Sequence, residues 1–249
     1  MQKAIGWLLT PLHLALFMVV LLIFHVAQVL ALPFGYATHK RVVDYLNFCL
    51  LASLKVVGTR IEFRCEHELP TDTPLIVVAN HQSMYDIPML GWVFRNHHPK
   101  YVAKIELSKG LPSISYNLRH GGSVLINRSD ARASIRAIQK FSKQVEEHRY
   151  AACIFPEGTR ARDGVMKKFN LSGLTMLIRA APSATIVPVA IDGSWELMRY
   201  RMRPVPFGVR VRCTVLAPIG QDEYPARDIA SVIENRIRES MDGAGGNSD

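Results

Sequence analysis

Acidic residues are scarce in this chain, and paired cysteines are absent. Asp and Glu number 21 against 30 Lys and Arg, a formal charge of +9 at pH 7. Such a balance favours an anionic partner (nucleic acid, an anionic bilayer or a phosphorylated substrate) without choosing among them. Cys49, Cys65, Cys153 and Cys213 form no C-x-x-C pair and no metal-ligand spacing. A structural zinc or a disulfide framework is therefore not expected, and a reducing setting is. There is no P-loop, zinc-finger spacing or aromatic-basic RNA-binding pattern, so nucleic acid is not the expected partner. A G-x-S-x-G elbow and an H-E-x-x-H zinc motif are also missing, which argues against the common hydrolase and metalloprotease designs. No internal repeat and no low-complexity linker interrupts the chain.

Charge is missing altogether from Ala4 to His39, where no Asp, Glu, Lys or Arg occurs. Between Leu12 and Leu32 the apolar runs, LALFMVVLLIF among them, exceed the roughly 20 residues needed to span a bilayer. Thr10-Pro11, His25 and Gln28 interrupt the segment, which fits a tilted span or a re-entrant pair of short helices. A cleaved signal peptide would have a shorter apolar core and a small-x-small cleavage site, and Ala-Leu-Pro-Phe-Gly is a poor one. A retained anchor is expected. Lys3 precedes the segment and His39-Lys40-Arg41 follow it, so the positive-inside rule places the remaining chain on the cytoplasmic side of an inner membrane. Residues 40–57 read as a helix, either part of the core or lying at the bilayer surface.

Beyond residue 58 short apolar runs alternate with helical patterns. Strands are expected over 59–66, 75–79, 100–103, 123–126, 151–155, 185–191 and 209–215. Helices are expected over 84–94, 171–181 and 227–241, with another opened by Ser129 as N-cap and striped by Ala131, Ile135, Ile138 and Val145. The alternation predicts an α/β domain with a central mixed sheet flanked by helices, preceded by the N-terminal membrane-anchoring helical segment. The division that follows is an anchor and interfacial helix at 1–57, a catalytic domain at 58–241 and a disordered tail at 242–249.

Two strand ends carry the candidate chemistry, as strand ends do in open α/β sheets. The run LIVVA leads into Asn80-His81-Gln82-Ser83-Met84-Tyr85-Asp86. With a turn between them, Asp86 can accept from one ring nitrogen of His81 and leave the other as a base. Histidine's ordinary pKa of about 6.5 suits a base near neutral pH. Alone, H-x-x-x-x-D is weak, and a turn cap plus a helix cap explains it as well. The run AACIF leads into Pro156-Glu157-Gly158-Thr159-Arg160. Here Gly158 permits close backbone approach, Thr159 brings a hydroxyl and Arg160 a fork of donors suited to phosphate. Glu157 can position Arg160 or bind an acceptor hydroxyl, although PEGT is also ordinary turn chemistry.

Together, N-H-Q-S-x-x-D and F-P-E-G-T-R resemble the glycerolipid acyltransferases, specifically the 1-acyl-glycerol-3-phosphate acyltransferase family. Lys104-Ile105-Glu106-Leu107 with Gly122 to Arg128 is similar to the family's second block, and Ile186 to Ile191 to its fourth. The resemblance covers Asn80 to Ile191 with all blocks in order. It implies His81 as general base, Asp86 as its partner, and Glu157, Gly158, Thr159 and Arg160 as acceptor-binding residues. Lys104 and Arg128 would be further phosphate contacts, and the strand with Pro188 would line or support the acyl site. The acyl donor implied is acyl-CoA or acyl carrier protein, acting as substrate, with no metal or prosthetic group required. The acceptor implied is a lysophospholipid held at the bilayer. The chain departs from many relatives in Asn127, where they carry Asp, and in Phe169-Asn170-Leu171-Ser172-Gly173, where they carry Phe-Lys-x-Gly. These departures keep a different lysolipid acceptor open, and a lipid hydrolase using His81 and Asp86 on water is the more distant alternative. Arg199, Arg201 and Arg203 read either as a solvated basic loop or as contacts to anionic lipid, at roughly 1 kcal/mol per charge near the surface.

Overall fold

The computed structural model describes residues 2–127, 129–225 and 228–245. Its strands are β1 (Arg60–Cys65), β2 (Leu75–Ala79), β3 (Pro99–Lys104), β4 (Val124–Ile126), β5 (Ala151–Ile154), β6 (Thr185–Asp192) and β7 (Arg210–Val215). Its helices are α1 (Gln2–Ala31), α2 (Tyr36–Ser53), α3 (Asp86–Val93), α4 (Ile114–His120), α5 (Ala131–His148), α6 (Leu171–Ala180) and α7 (Ile229–Gly245). The strands form one sheet in the order β1-β7-β6-β2-β5-β3-β4. β6 and β7 pair antiparallel and the other neighbours parallel, so the sheet is mixed, as the alternating pattern predicts.

The central strands are continuous apolar runs because both of their faces are covered. Every residue of β2 and β5 is buried. Leu75, Val77 and Ala79 face a layer made by α1, α2 and α3, while Ile76 and Val78 face α5, α6 and α7. The TRIEFRCE alternation becomes β1, an edge strand on which Ile61 alone is partly buried.

Helix ends show where local signals were misread. Asp130, not Ser129, caps α5: its Oδ1 accepts from the Ala133 N–H at 2.9 Å, while Ser129 Oγ donates to Asn127 Oδ1 at 2.7 Å. A carboxylate suits that position doubly, as cap and as a charge at the positive end of the helix dipole. α3 starts at Asp86 after a turn, rather than at Met84. The seven-residue α4 was not anticipated, being too short for a period to register. α7 runs on to Gly245, so 242–245 are helical where a tail was expected; Arg227 and residues 246–249 lie outside the described residues.

α1 is one continuous helix of 30 residues, about 45 Å long. The residues that seemed to interrupt it are its docking contacts. Thr10 Oγ1 donates to the Gly6 carbonyl at 2.6 Å and accepts from the Val205 N–H at 2.9 Å. His13 bridges the Ser53 carbonyl at 3.0 Å and the Tyr85 hydroxyl at 2.8 Å. His25 Nδ1 accepts from the Ser113 N–H at 3.2 Å, and Gln28 Nε2 donates to Ser113 Oγ. Between them Phe17, Val20 and Leu21 join Leu46, Leu50 and Leu54 against Val77 and Ala79 in one core. Packing therefore does not break at residue 57.

Gly6 lets the first turns of α1 seat on the 204–205 backbone, since a Cβ there would overlap the Val205 carbonyl oxygen. Gly6→Ala is expected to cost about 1–3 kcal/mol through forced displacement. The check is a thermal melt in detergent, read as a drop of a few degrees in Tm.

Candidate active site

β2 ends at Ala79, and Asn80 then clamps the neighbouring strand. Its Nδ2 donates to the Ile191 carbonyl and its Oδ1 accepts from the Ile191 N–H, both at 2.7 Å. This fixes the chain just where His81 leaves the sheet. A turn over 83–85 carries it into α3, and Asp86 at the first helical position swings back to meet His81 Nδ1 at 2.8 Å. Asp86 is fully buried, whereas the His81 side chain is 17% exposed.

Asp86 sits in a ring of donors. Oδ2 accepts from the Gln82 N–H at 2.6 Å and the Ser83 N–H at 2.8 Å; Oδ1 accepts from Ser83 Oγ at 3.0 Å and Ser194 Oγ at 2.6 Å. With four donors already pointing at it, the carboxylate acts as acceptor, so His81 Nδ1 must carry the hydrogen. The lone pair then rests on Nε2, which has no hydrogen-bond partner among the described residues. Phe155 stacks on the imidazole at 4.2 Å between centroids and 25° between planes, blocking rotation of the ring.

The second strand end packs directly on the first. Glu157 Oε1 accepts from the His81 N–H at 2.6 Å and Oε2 from the Lys167 N–H at 2.8 Å. The Ala161 N–H donates to the His81 carbonyl at 2.7 Å. The resemblance implies Glu157 as an acceptor contact; in the structure each of its oxygens accepts from a backbone N–H, which also positions His81. Burial raises the Glu157 pKa, and the two backbone donors and the charge of Lys167 oppose that rise. Lys167 Nζ donates to Thr159 Oγ1 and to the Arg160 carbonyl, each at 3.0 Å, pinning the loop that Gly158 turns through a left-handed conformation.

His81, Lys104, Gly158, Thr159 and Arg160 all line one cavity of about 980 Å³. Arg162 and Lys167 add positive charge to that wall, while Leu46, Leu50, Leu107, Leu111, Ile114 and Leu118 supply apolar surface. The cavity thus joins a base, a cationic rim and room for an aliphatic chain. Arg128 lies outside the described residues. Among the described residues no group of three or more His, Cys, Asp or Glu is placed to hold a metal.

A family model described as acyltransferase matches residues 60–192, more than half of the chain. The chain belongs to the acyltransferase family. A 1-acyl-sn-glycerol-3-phosphate acyltransferase alpha of Ovis aries is 26% identical over 215 residues, covering 86% of this chain and 73% of the relative. One from Chlamydomonas reinhardtii is 32% identical over 130 residues, 52% of this chain and 37% of the relative. The crystal structure of a 1-acyl-sn-glycerophosphate acyltransferase from Thermotoga maritima superposes with a TM-score of 0.81 over 100% of both chains at 19% identity, and so shares the fold.

Several residues of this acyltransferase's site were given no role by sequence reasoning. Gln82 and Ser194 complete the surroundings of Asp86, yet Ser194 lies 108 residues away from it. The available signal was positional: Ser194 follows β6, another strand that ends at the same edge. Lys100, buried within β3, also lines the cavity; its Nζ donates to the Tyr36 hydroxyl at 2.9 Å and lies over the Tyr36 and Tyr150 rings at 4.5 and 4.9 Å. Burial first, and the charge of Lys40 second, push its pKa down to about 8, with Asp44 opposing.

Asp86→Asn places amide hydrogens against inward-pointing donors and frees the wrong tautomer, so kcat should fall about 10²–10⁴-fold. Ser194→Ala, acting only through Asp86, should lower kcat roughly tenfold at unchanged KM, with a displaced pH profile for kcat. Steady-state kinetics across pH checks both. For Lys100, the unfolded chain holds a proton between about pH 8 and the ordinary lysine value that the folded chain has lost. Its contribution to stability should therefore rise with pH through that window, and Lys100→Met should flatten the rise in a series of melts.

Proposed function

We propose that this acyltransferase moves a fatty acyl group from acyl-CoA or acyl carrier protein to the sn-2 hydroxyl of 1-acyl-glycerol-3-phosphate, forming phosphatidic acid. The observation that carries the reading is the single cavity in which a His81 ring held by Asp86 shares walls with Lys104, Thr159, Arg160 and an apolar lining. The relatives from Ovis aries and Chlamydomonas reinhardtii, both 1-acyl-sn-glycerol-3-phosphate acyltransferases, support the same acceptor. In the scheme, the acceptor phosphate binds Arg160 and Lys104, with Arg128 as a further contact, and the hydroxyl faces His81 Nε2. His81 takes the hydroxyl proton as the oxygen attacks the thioester carbonyl carbon. The tetrahedral intermediate collapses, the carbon–sulfur bond breaks, and the leaving thiolate takes the proton back from His81. A positioned base of this kind supplies about 10²–10⁴-fold, and orientation by the phosphate clamp supplies much of the remainder. No metal or prosthetic group enters the scheme.

The proposal places the enzyme on a membrane. Helix α1 is long and apolar enough to cross one by length and composition. Its outer face, including Trp7, Leu8, Leu12, Ile23 and Leu30, is exposed over the whole length, while its inner face is bonded to the domain. An acceptor dissolved in the bilayer could then reach the cavity past Phe17 of α1 without full extraction into water. The basic flank after α1 (His39-Lys40-Arg41), stronger than Lys3 before it, supports a cytoplasmic position for the domain.

The test is acyl transfer by the membrane fraction, wild type against His81→Ala, with acyl-CoA and acyl carrier protein as alternative donors. Acceptors would be 1-acyl-glycerol-3-phosphate and lysolipids lacking an exposed phosphate. The expected result is phosphatidic acid from wild type and a loss of about 10²–10⁴-fold in the variant. Equal activity in both would sink the base assignment, and acylation of only a phosphate-free lysolipid would sink the acceptor. Free fatty acid released without acceptor consumption would make the enzyme a hydrolase.

A further inference from the structure

A second group of cations lies away from His81, at the β1–β7 edge of the sheet. β1 and β7 run parallel with Arg60 paired to Arg210, and each arginine opens its strand at the sheet end where β6 stops. Neighbouring strands are about 4.8 Å apart, so two arginines at paired positions repel each other unless an anion sits between them. Two residues further along, Glu62 answers Arg212 at 3.5 Å and Arg64 at 2.7 Å. No acidic partner answers Arg60, Arg210 or the nearby Lys55 among the described residues.

These three cations line an open pocket of about 670 Å³ together with Thr59, under the Phe207 ring. Thr59 is 6% exposed, and its hydroxyl oxygen is buried without a hydrogen-bond partner. The arginine pair has no acid to answer it among the described residues, and an oxyanion seated in the pocket would relieve its repulsion. Gly58 shapes the floor: it has a φ of +69°, and a Cβ there would come within 2.6 Å of the Phe207 ring. The C-terminal end of the short helical turn over 54–57 brings partial negative charge nearby, which Lys55 offsets, leaving the arginine pair over.

We propose that Lys55, Arg60 and Arg210, with Thr59, form a second anion site that takes the phosphate of a lipid headgroup. The lipid source is argued from position. The Phe207 N–H donates to the Gln2 carbonyl at 3.3 Å, so the pocket wall is tied to the first turn of α1, whose Trp7 and Leu8 are exposed. Lys3 and Arg199 both stack on Tyr200, at 4.8 and 5.8 Å, extending the basic surface beside that same helix end. The site rests on the reading of α1 as the membrane-facing helix, and it is distinct from the acceptor clamp at Arg160.

The experiment is a thermal melt of the full chain in neutral detergent micelles carrying phosphatidylglycerol or phosphatidylcholine, with millimolar inorganic phosphate as a separate arm. Phosphatidylglycerol is expected to raise the wild-type Tm by about 3–6 °C more than phosphatidylcholine does. The double variant R60Q/R210Q should lose most of that rise and R60K/R210K should keep it. An undiminished rise in R60Q/R210Q overturns the site. Inorganic phosphate reproducing the whole rise overturns the lipid source and leaves a soluble anion as the ligand. Because R60Q/R210Q removes a repulsion, its lipid-free Tm should not fall; if it does, the comparison moves to Arg210→Gln alone, where half of the rise or less should remain. Acyl transfer to a short-chain lysophosphatidate should stay within about twofold in R60Q/R210Q, which separates failure of this site from failure of the proposed chemistry.

Discussion

Asp86 has no access to water, and a carboxylate stripped of water must find its hydrogen bonds within the protein or destabilise the fold. The surrounding architecture can be traced from that requirement. Two of the donors are backbone groups of the turn that precedes α3, which forces the chain to double back immediately after β2. A third comes from Ser194, so β6 must end level with β2, and Asn80 enforces that alignment by pairing with both polar groups of Ile191. The Ser83 hydroxyl is a fourth and His81 the fifth. The imidazole is thus oriented by a group that cannot move without leaving a buried charge short of donors, which is a stiffer restraint than an exposed pair would impose.

The same turn also ties α1 to the chemistry. Tyr85, next to Asp86, is buried and meets His13 of α1 at 2.8 Å, with Phe17 edge-on to the Tyr85 ring at 6.0 Å. A displacement of α1 would therefore reach Asp86 through one residue of backbone. This explains why polar residues sit within an otherwise apolar helix. Thr10, His13 and Gln28 would be costly if they faced lipid; facing the domain, the Thr10 hydroxyl, the His13 ring and the Gln28 Nε2 find partners and fix the rotation and axial position of α1 where apolar contacts would let it slide.

Much of the fold was legible because the strands are short apolar runs bounded by turn residues, and each of the seven expected runs became a strand. The two strand ends bearing His81 and Glu157 were legible for the same reason, with the acyltransferase motifs adding their identity. What was hidden depends on contacts across the fold. Ser194 is 108 residues from Asp86, and Glu157 is 76 residues from the His81 N–H it accepts from, so neither distance could be read from spacing. The resemblance implies Glu157 as an acceptor contact; that it also holds the His81 backbone follows only once the two strand ends are packed together. Lys100 was passed over because a lysine within a strand reads as solvent-facing, and here aromatic rings from Tyr36 and Tyr150 take the place of water around it. The interruptions in α1 were read as weak points of a span for a similar reason: periodicity reports which face is polar but not what that face meets.

The excess of positive charge, uninformative as a sum, acquires meaning from where the fold sends it. Around His81 the cations border a deep cavity with apolar walls, an arrangement that selects an anion attached to a chain. At the β1–β7 edge they border an open pocket beside the exposed end of α1, where an anion would be held without being enclosed. Lys100 lines the first cavity too, but its charge is buried and weakened by that burial. Electrostatic attraction alone would treat these three settings alike. Their surroundings separate them: cations bordering an apolar cavity act at short range on one bound molecule, those on an open surface are screened by salt, and a buried lysine tends to surrender its proton. An enzyme whose acceptor is an anionic lipid needs the first two together, one to orient the reacting molecule and one to hold the domain where such molecules are found.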